Sequence, residues 1–157
     1  MLEVGCGTGR NLRLLRETVG ASGHVIGVDA SSGMLARACR LTVKHDWTNV
    51  LLVHKDAAEL TLDNELDGVL FSLSYSVLPD RESVLDNVWA MIRPGGRLVV
   101  MDAGLPDGWL GRALERFGER VATVFPGDPY SRPWEDLTRL SPTVATDRFQ
   151  FGTYFIC

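Results

Sequence analysis

Positive charge is scarce in this chain: 16 lysines and arginines stand against 20 acidic residues, a formal net charge of -4 over 157 residues. Nucleic-acid binding depends on neutralising phosphates with Lys and Arg, so this balance argues against a general nucleic-acid binder. Long apolar runs are missing too. No stretch approaches the roughly 18 residues that a membrane-spanning helix needs. A strand and a turn are read in the first ten positions, so no secretory leader is expected. Cysteine is sparse: Cys6, Cys39 and Cys157 are odd in number, far apart and without a C-x-x-C pair. That usage fits free thiols in a reducing compartment and predicts a cytoplasmic protein. His24, His45 and His54 lack metal-ligand spacing, so no metal is expected. The remainder is an ordinary composition, 45% hydrophobic and 23% charged, at a length suited to one domain with its own core.

What the chain does have is a set of short apolar runs alternating with helical periodicity. Leu2 to Val4 read as a buried strand, followed by Gly5, Gly7 and Gly9 and then a helix through Leu12, Leu15 and Val19. Val25 to Val28 form a second strand ending in Asp29, and Ser31 is placed to cap a helix with Met34, Leu35, Ala38 and Leu41 at helical spacing. Val50 to Val53 and Gly68 to Phe71 give a third and a fourth strand, with Asp56 just past the third. A helix is predicted over 81–92, then the "RPGG" turn and a fifth strand. Strands alternating with helices predict a parallel sheet covered on both faces. Later, residues 108–125 carry helical spacing, and "PGDPYSRPWEDL", with three prolines in eight residues, reads as a surface loop. Residues 143–149 and 153–157 read as an antiparallel hairpin.

A strand, a glycine turn and a helix in that order cradle nucleotide-like ligands at the helix N-terminus. The spacing here is G-x-G-x-G, whereas the pyrophosphate turn of NAD enzymes is G-x-G-x-x-G. An NAD(P)-dependent oxidoreductase is therefore disfavoured but open at this point. Glu3 inside an apolar strand is costly unless it is paired or hydrogen-bonded. Arg10, Arg13 and Arg16 read as a solvated stripe, and Trp109, Tyr130 and Trp134 either line a pocket or cap the core.

"LEVGCGTGRN" resembles the first motif of class I S-adenosylmethionine-dependent methyltransferases, and "VIGVDASSGMLARA", "DAAEL" and "RPGGRLVVMD" match later family motifs in order. The resemblance covers essentially all of residues 1–157 as one domain. It implies an α/β, Rossmann-like doubly wound, mostly parallel seven-stranded sheet with a C-terminal antiparallel hairpin. It also implies S-adenosyl-L-methionine as cofactor, with S-adenosyl-L-homocysteine as product. Glu3 would then lie beneath the methionine moiety, Asp29 would meet the ribose hydroxyls and Asp56 the adenine amino group, while Gly5, Cys6, Gly7, Thr8, Gly9, Asn11, Ala30, Met34 and Ala57 would complete the cofactor site and Ser72 would lie near the transferred methyl. Ser74 and Tyr75 are the candidates nearest an acceptor. The fourth-strand exit "FSLSYSVLPD" lacks the [DN]-P-P-[YF] tetrapeptide, which argues against an adenine or glutamine methylase. The expected acceptor is a small molecule or a lipid headgroup, and a non-catalytic cofactor-binding module is the alternative. Beside the family, the chain lacks the helices that usually precede the first strand, so an open cofactor edge and self-association through it are expected.

Overall fold

Leu2, Glu3 and Val4 are all buried, and they form β1 (Leu2–Val4) with parallel partners on both sides. The computed structural model describes residues 1–63, 65–105, 109, 113, 127–150 and 152–157. The other parallel strands are β2 (Val25–Asp29), β3 (Val50–His54), β4 (Leu66–Ser72) and β5 (Ile92–Ala103). β7 (Tyr154–Ile156) runs antiparallel to β5, and β6 (Asp147–Phe149) antiparallel to β7. The sheet order is β3-β2-β1-β4-β5-β7-β6. Chain order therefore reverses between β1 and β4, and ligands of open α/β sheets bind in the crevice beyond the carboxyl ends at such a point. The seven-stranded, mostly parallel fold expected from the sequence is the observed one.

The helices are α1 (Leu12–Val19), α2 (Ser32–Lys44), α3 (Arg81–Ala90) and α4 (Pro133–Leu140). Side chains alternate along a strand, and the core divides accordingly. Leu2, Val4, Val28, Val69, Phe71 and Val100 pack with α3 and α4 through Val84, Leu85, Val88 and Leu137. Leu12 and Leu15 of α1 and Ala38 of α2 pack on Val25 in a separate cluster. Fully burying such a side chain contributes about 1.5–3 kcal/mol. Alternation therefore turns Glu3 away from Leu2 and Val4, to the face that carries Asn11. Asn49 ties the two-strand edge together, its amide donating to the carbonyls of Gly20 and Gly23 at 3.2 and 3.1 Å. Arg16 is not purely solvated: it donates to Asn49 Oδ1 at 3.0 Å and lies over the Trp47 ring.

Three expectations change. The proline-rich stretch is not all loop, since Pro133 sits at the start of α4, where its missing N–H is one the first helical turn leaves unpaired anyway. β6 is three residues long, and 143–146 are not strand. β5 begins ahead of Pro94, Gly95 and Gly96, and its register with β4 shifts between Leu66 and Gly68. The helix expected over 108–125 lies outside the described residues, apart from Trp109 and Ala113. Among the described residues no helix is long and apolar enough to cross a membrane.

Candidate cofactor site

The turn after β1 places two glycines to different ends. Both Gly7 (φ +55) and Gly9 (φ +80) hold a left-handed backbone that L side chains disfavour. A Cβ on Gly9 would lie 2.8 Å from Leu12 Cδ1 and 3.1 Å from Ala38 Cβ, so Gly9 lets α1 and α2 close on each other. A Cβ on Gly7 would meet nothing within 4 Å. Gly7 thus faces open space, as a cradle for a ligand requires.

Asp29, at the carboxyl end of β2, reaches into that turn. Its Oδ2 accepts the Gly7 N–H at 2.8 Å and its Oδ1 accepts the Ser31 N–H at 2.8 Å. A carboxylate offers about four lone-pair sites, so each oxygen keeps capacity for a ligand donor while the backbone fixes its orientation. Ser31 caps α2 by accepting the Met34 N–H at 3.4 Å, which relieves Asp29 of that duty. Ala30 and Met34 are exposed at the same helix entry, and Thr8 is half-buried in the glycine turn.

Glu3 is fully buried, with Oε1 accepting from Asn11 Nδ2 at 2.7 Å and Oε2 without a partner. Burial pushes its carboxyl up to about 7 against the opposing pull of Asn11. Cys6 is buried beside it. Burial, with the nearby carboxylates of Glu3 and Asp29, pushes its thiol up to about 12. On the other side of β2, Asp56 Oδ1 accepts the Ala58 N–H at 2.9 Å and starts the short 3-10 turn Ala57–Glu59, with Ala57 buried. Asp56 remains exposed, and Oδ2 is left for a ligand. His54 bonds the Ala30 carbonyl at 3.0 Å, which joins the ends of β2 and β3.

Ser72 ends β4 at the same edge, half-buried. The two acceptor candidates from the sequence are placed otherwise. Ser74 is buried and donates from Oγ to the Val4 carbonyl at 2.6 Å. Tyr75 is fully buried, edge-on to Phe71, and donates from its hydroxyl to Asp136 of α4 at 2.6 Å. Burial, then the Asp136 carboxylate, raises the Tyr75 pKa well above its ordinary value, so the phenol stays protonated. Both side chains brace the loop and neither is open to an acceptor, because each buried hydroxyl already donates to a partner. Tyr75→Phe should lower stability by about 1–2 kcal/mol through loss of this bond, measured as the urea midpoint, with cofactor affinity unchanged.

Two positions that shape the loop beside the site are not marked by the sequence pattern. Asp102, at the end of β5, accepts the Ser76 N–H at 2.8 Å, the Ser76 hydroxyl at 3.1 Å and the Ala103 N–H at 2.8 Å. Its place after an apolar run, like that of Asp29, was the available signal. Leu73 has a left-handed backbone, φ +53, that nothing in its residue type announces. Of the late aromatics, Trp134 caps the core edge-on to Phe155, while Tyr130 and Trp109 are exposed.

The family described as "Methyltransferase domain" matches residues 1–96. The chain belongs to this methyltransferase-domain family. The demethylmenaquinone methyltransferase of Listeria monocytogenes is 35% identical over 112 residues, which is 69% of this chain and 47% of that protein. This chain thus spans about half the length of the curated relatives it matches. A solved S-adenosylmethionine-dependent methyltransferase from Aquifex aeolicus shares the fold with a TM-score of 0.72 at 21% identity, covering 99% of this chain and 77% of its own. The DhpI–SAM–HEP complex has a TM-score of 0.71 at 25% identity, covering 99% and 75%. The matched segment of the methyltransferase domain holds the glycine turn, Asp29 and Asp56.

Proposed function

We propose that this chain is the core of an S-adenosylmethionine-dependent methyltransferase acting on a small-molecule or lipid-headgroup acceptor. Within that class we favour a quinol-like acceptor, in line with the demethylmenaquinone methyltransferases that it resembles at 35% identity. The observation that carries the reading is Asp29, held by two backbone N–H groups beside the open Gly7 at the carboxyl ends of β1 and β2. A carboxylate oriented that way suits the two hydroxyls of a ribose, since both can donate to one group.

The remaining residues fit the same ligand. Asp56 has a free oxygen for an adenine amino group. The unpartnered Oε2 of Glu3 is a buried acceptor awaiting a donor, as the ammonium of a methionine moiety would be. When bound, S-adenosylmethionine supplies a methyl group on a positively charged sulfur. The work left to the chain is alignment of the acceptor nucleophile with that methyl, which can supply much of the acceleration without an acid–base triad. The glycine spacing argues against NAD chemistry.

Isothermal titration with S-adenosylhomocysteine and with NAD tests the cofactor. Binding of NAD in place of S-adenosylhomocysteine would overturn the reading. Turnover with a demethylated naphthoquinol and with a panel of amines tests the acceptor. Asp29→Ala should weaken S-adenosylhomocysteine by about 1.5–3 kcal/mol, roughly ten- to 150-fold, as expected for hydrogen bonds to a charged group. Unchanged affinity in that variant would remove the ribose assignment.

A further inference from the structure

Among the described residues, three that are not glycine hold a left-handed backbone: Asp46, Leu73 and Gln150. Asp46 and Gln150 are polar residues, just past α2 and in the β6–β7 turn. Leu73 is different. It is an apolar residue directly after β4, in a conformation that glycine or asparagine adopts at much lower cost. Packing does not repay that cost, because 53% of the residue is exposed. Strain of this kind persists only where the surroundings impose it, and it concentrates at functional sites.

The surroundings do impose it. The Leu73 N–H donates to the Met101 carbonyl at 2.8 Å, and Ser74 is tied to Val4. Tyr75 is tied to Asp136, and Ser76 to Asp102. The loop also lies against the glycine turn, since a Cβ on Gly5 would sit 2.6 Å from Ser74 Cβ. An apolar residue is thus held in a strained backbone and half in solvent, on the loop whose Ser74 lies against the glycine turn. Val77, on the same loop, is 48% exposed. No residue from Ser72 to Val77 carries a charge, and Asp102 already accepts three hydrogen bonds from the loop and its own neighbour. An ionic headgroup would find no partner on this loop.

We propose that Leu73 is a specificity-determining residue: its side chain is the platform on which the apolar ring of the acceptor rests. This deepens the methyltransferase reading and stands on it. The acceptor class is one that presents an uncharged apolar face beside its nucleophilic atom, and the quinol-like ring of the functional reading is the case tested. The strained backbone is what presents the leucine at that spot.

The test uses the full chain loaded with S-adenosylhomocysteine and titrated with 2-methyl-1,4-naphthoquinone, followed by tryptophan fluorescence. Wild type binds the probe, Leu73→Met retains binding, and Leu73→Asn loses it by about tenfold or more, the scale of one uncovered leucine. S-adenosylhomocysteine affinity stays the same in both variants. The Tm of Leu73→Asn equals or exceeds that of wild type, because asparagine tolerates the left-handed backbone. Equal probe affinity in Leu73→Asn, no probe binding to wild type, or a lowered Tm in Leu73→Asn would each overturn the proposal while leaving the cofactor reading intact. Failure of wild type to bind S-adenosylhomocysteine would overturn both.

Discussion

Gly7→Val should abolish S-adenosylhomocysteine binding, by about 100-fold or more, in a protein that still folds. A Cβ at Gly7 has no protein atom within 4 Å apart from its chain neighbours, so the free chain leaves room at the point of substitution. It would occupy the volume a ligand needs, and its β-branch would resist the φ of +55. Gly9→Val should do the opposite. There the added carbon collides with Leu12 and Ala38, so stability falls by about 1–3 kcal/mol or more from overpacking alone. Titration calorimetry beside thermal unfolding separates the two. Normal binding by Gly7→Val would mean that the turn is not the cradle.

Glu3→Gln should move stability and binding in opposite directions. The ordinary carboxyl value of 4.5 rises to about 7 in the folded chain because burial disfavours the anion. A group raised on folding leaves stability undiminished below the unfolded value, and stability is lost as pH climbs through the folded one. Wild type should thus lose about 3 kcal/mol between roughly pH 4.5 and pH 7 and stay at that deficit above it. The glutamine variant does not titrate. At pH 8 it should be more stable than wild type by about 2–3 kcal/mol in urea unfolding, and the gap should close near pH 4.5. Its S-adenosylhomocysteine affinity at pH 8 should nevertheless fall by about ten- to 100-fold, since a ligand ammonium loses its counter-charge. Wild-type affinity should itself decline as pH drops below 7. A variant equal to wild type in stability at pH 8 would show that Glu3 carries no such penalty.

The parts of the molecule legible in sequence are those set by local periodicity. β1 to β4, the glycine turn and the carboxylates of Asp29 and Asp56 follow from apolar runs ending in small or acidic residues. α4 is hidden in sequence because prolines normally break a pattern, while Pro133 starts one. The hairpin is shorter than its pattern because 143–146 alternate like a strand without pairing as one. Tyr75 is the instructive case. Its place in the loop is legible, but its hydroxyl partner, Asp136, lies 61 residues away. No local pattern reports such a pairing. Nor does any local pattern report the backbone of Leu73, since leucine rarely adopts that conformation and only the tertiary ties around it explain why it does.

The buried thiol in the glycine turn has a consequence for oxidation chemistry. Thiolates, not thiols, react with peroxide, disulfides and maleimides. With its pKa pushed up to about 12, Cys6 is almost wholly protonated at neutral pH, and it is also covered. Cys39 on α2 is the one exposed cysteine of the three. A maleimide dye should therefore couple at Cys39 first, with Cys6 modified only once the chain unfolds. Protection of Cys6 becomes a gauge of how often the turn opens, and a dye on Cys39 reports from the helix whose entry carries Ser31 and Met34.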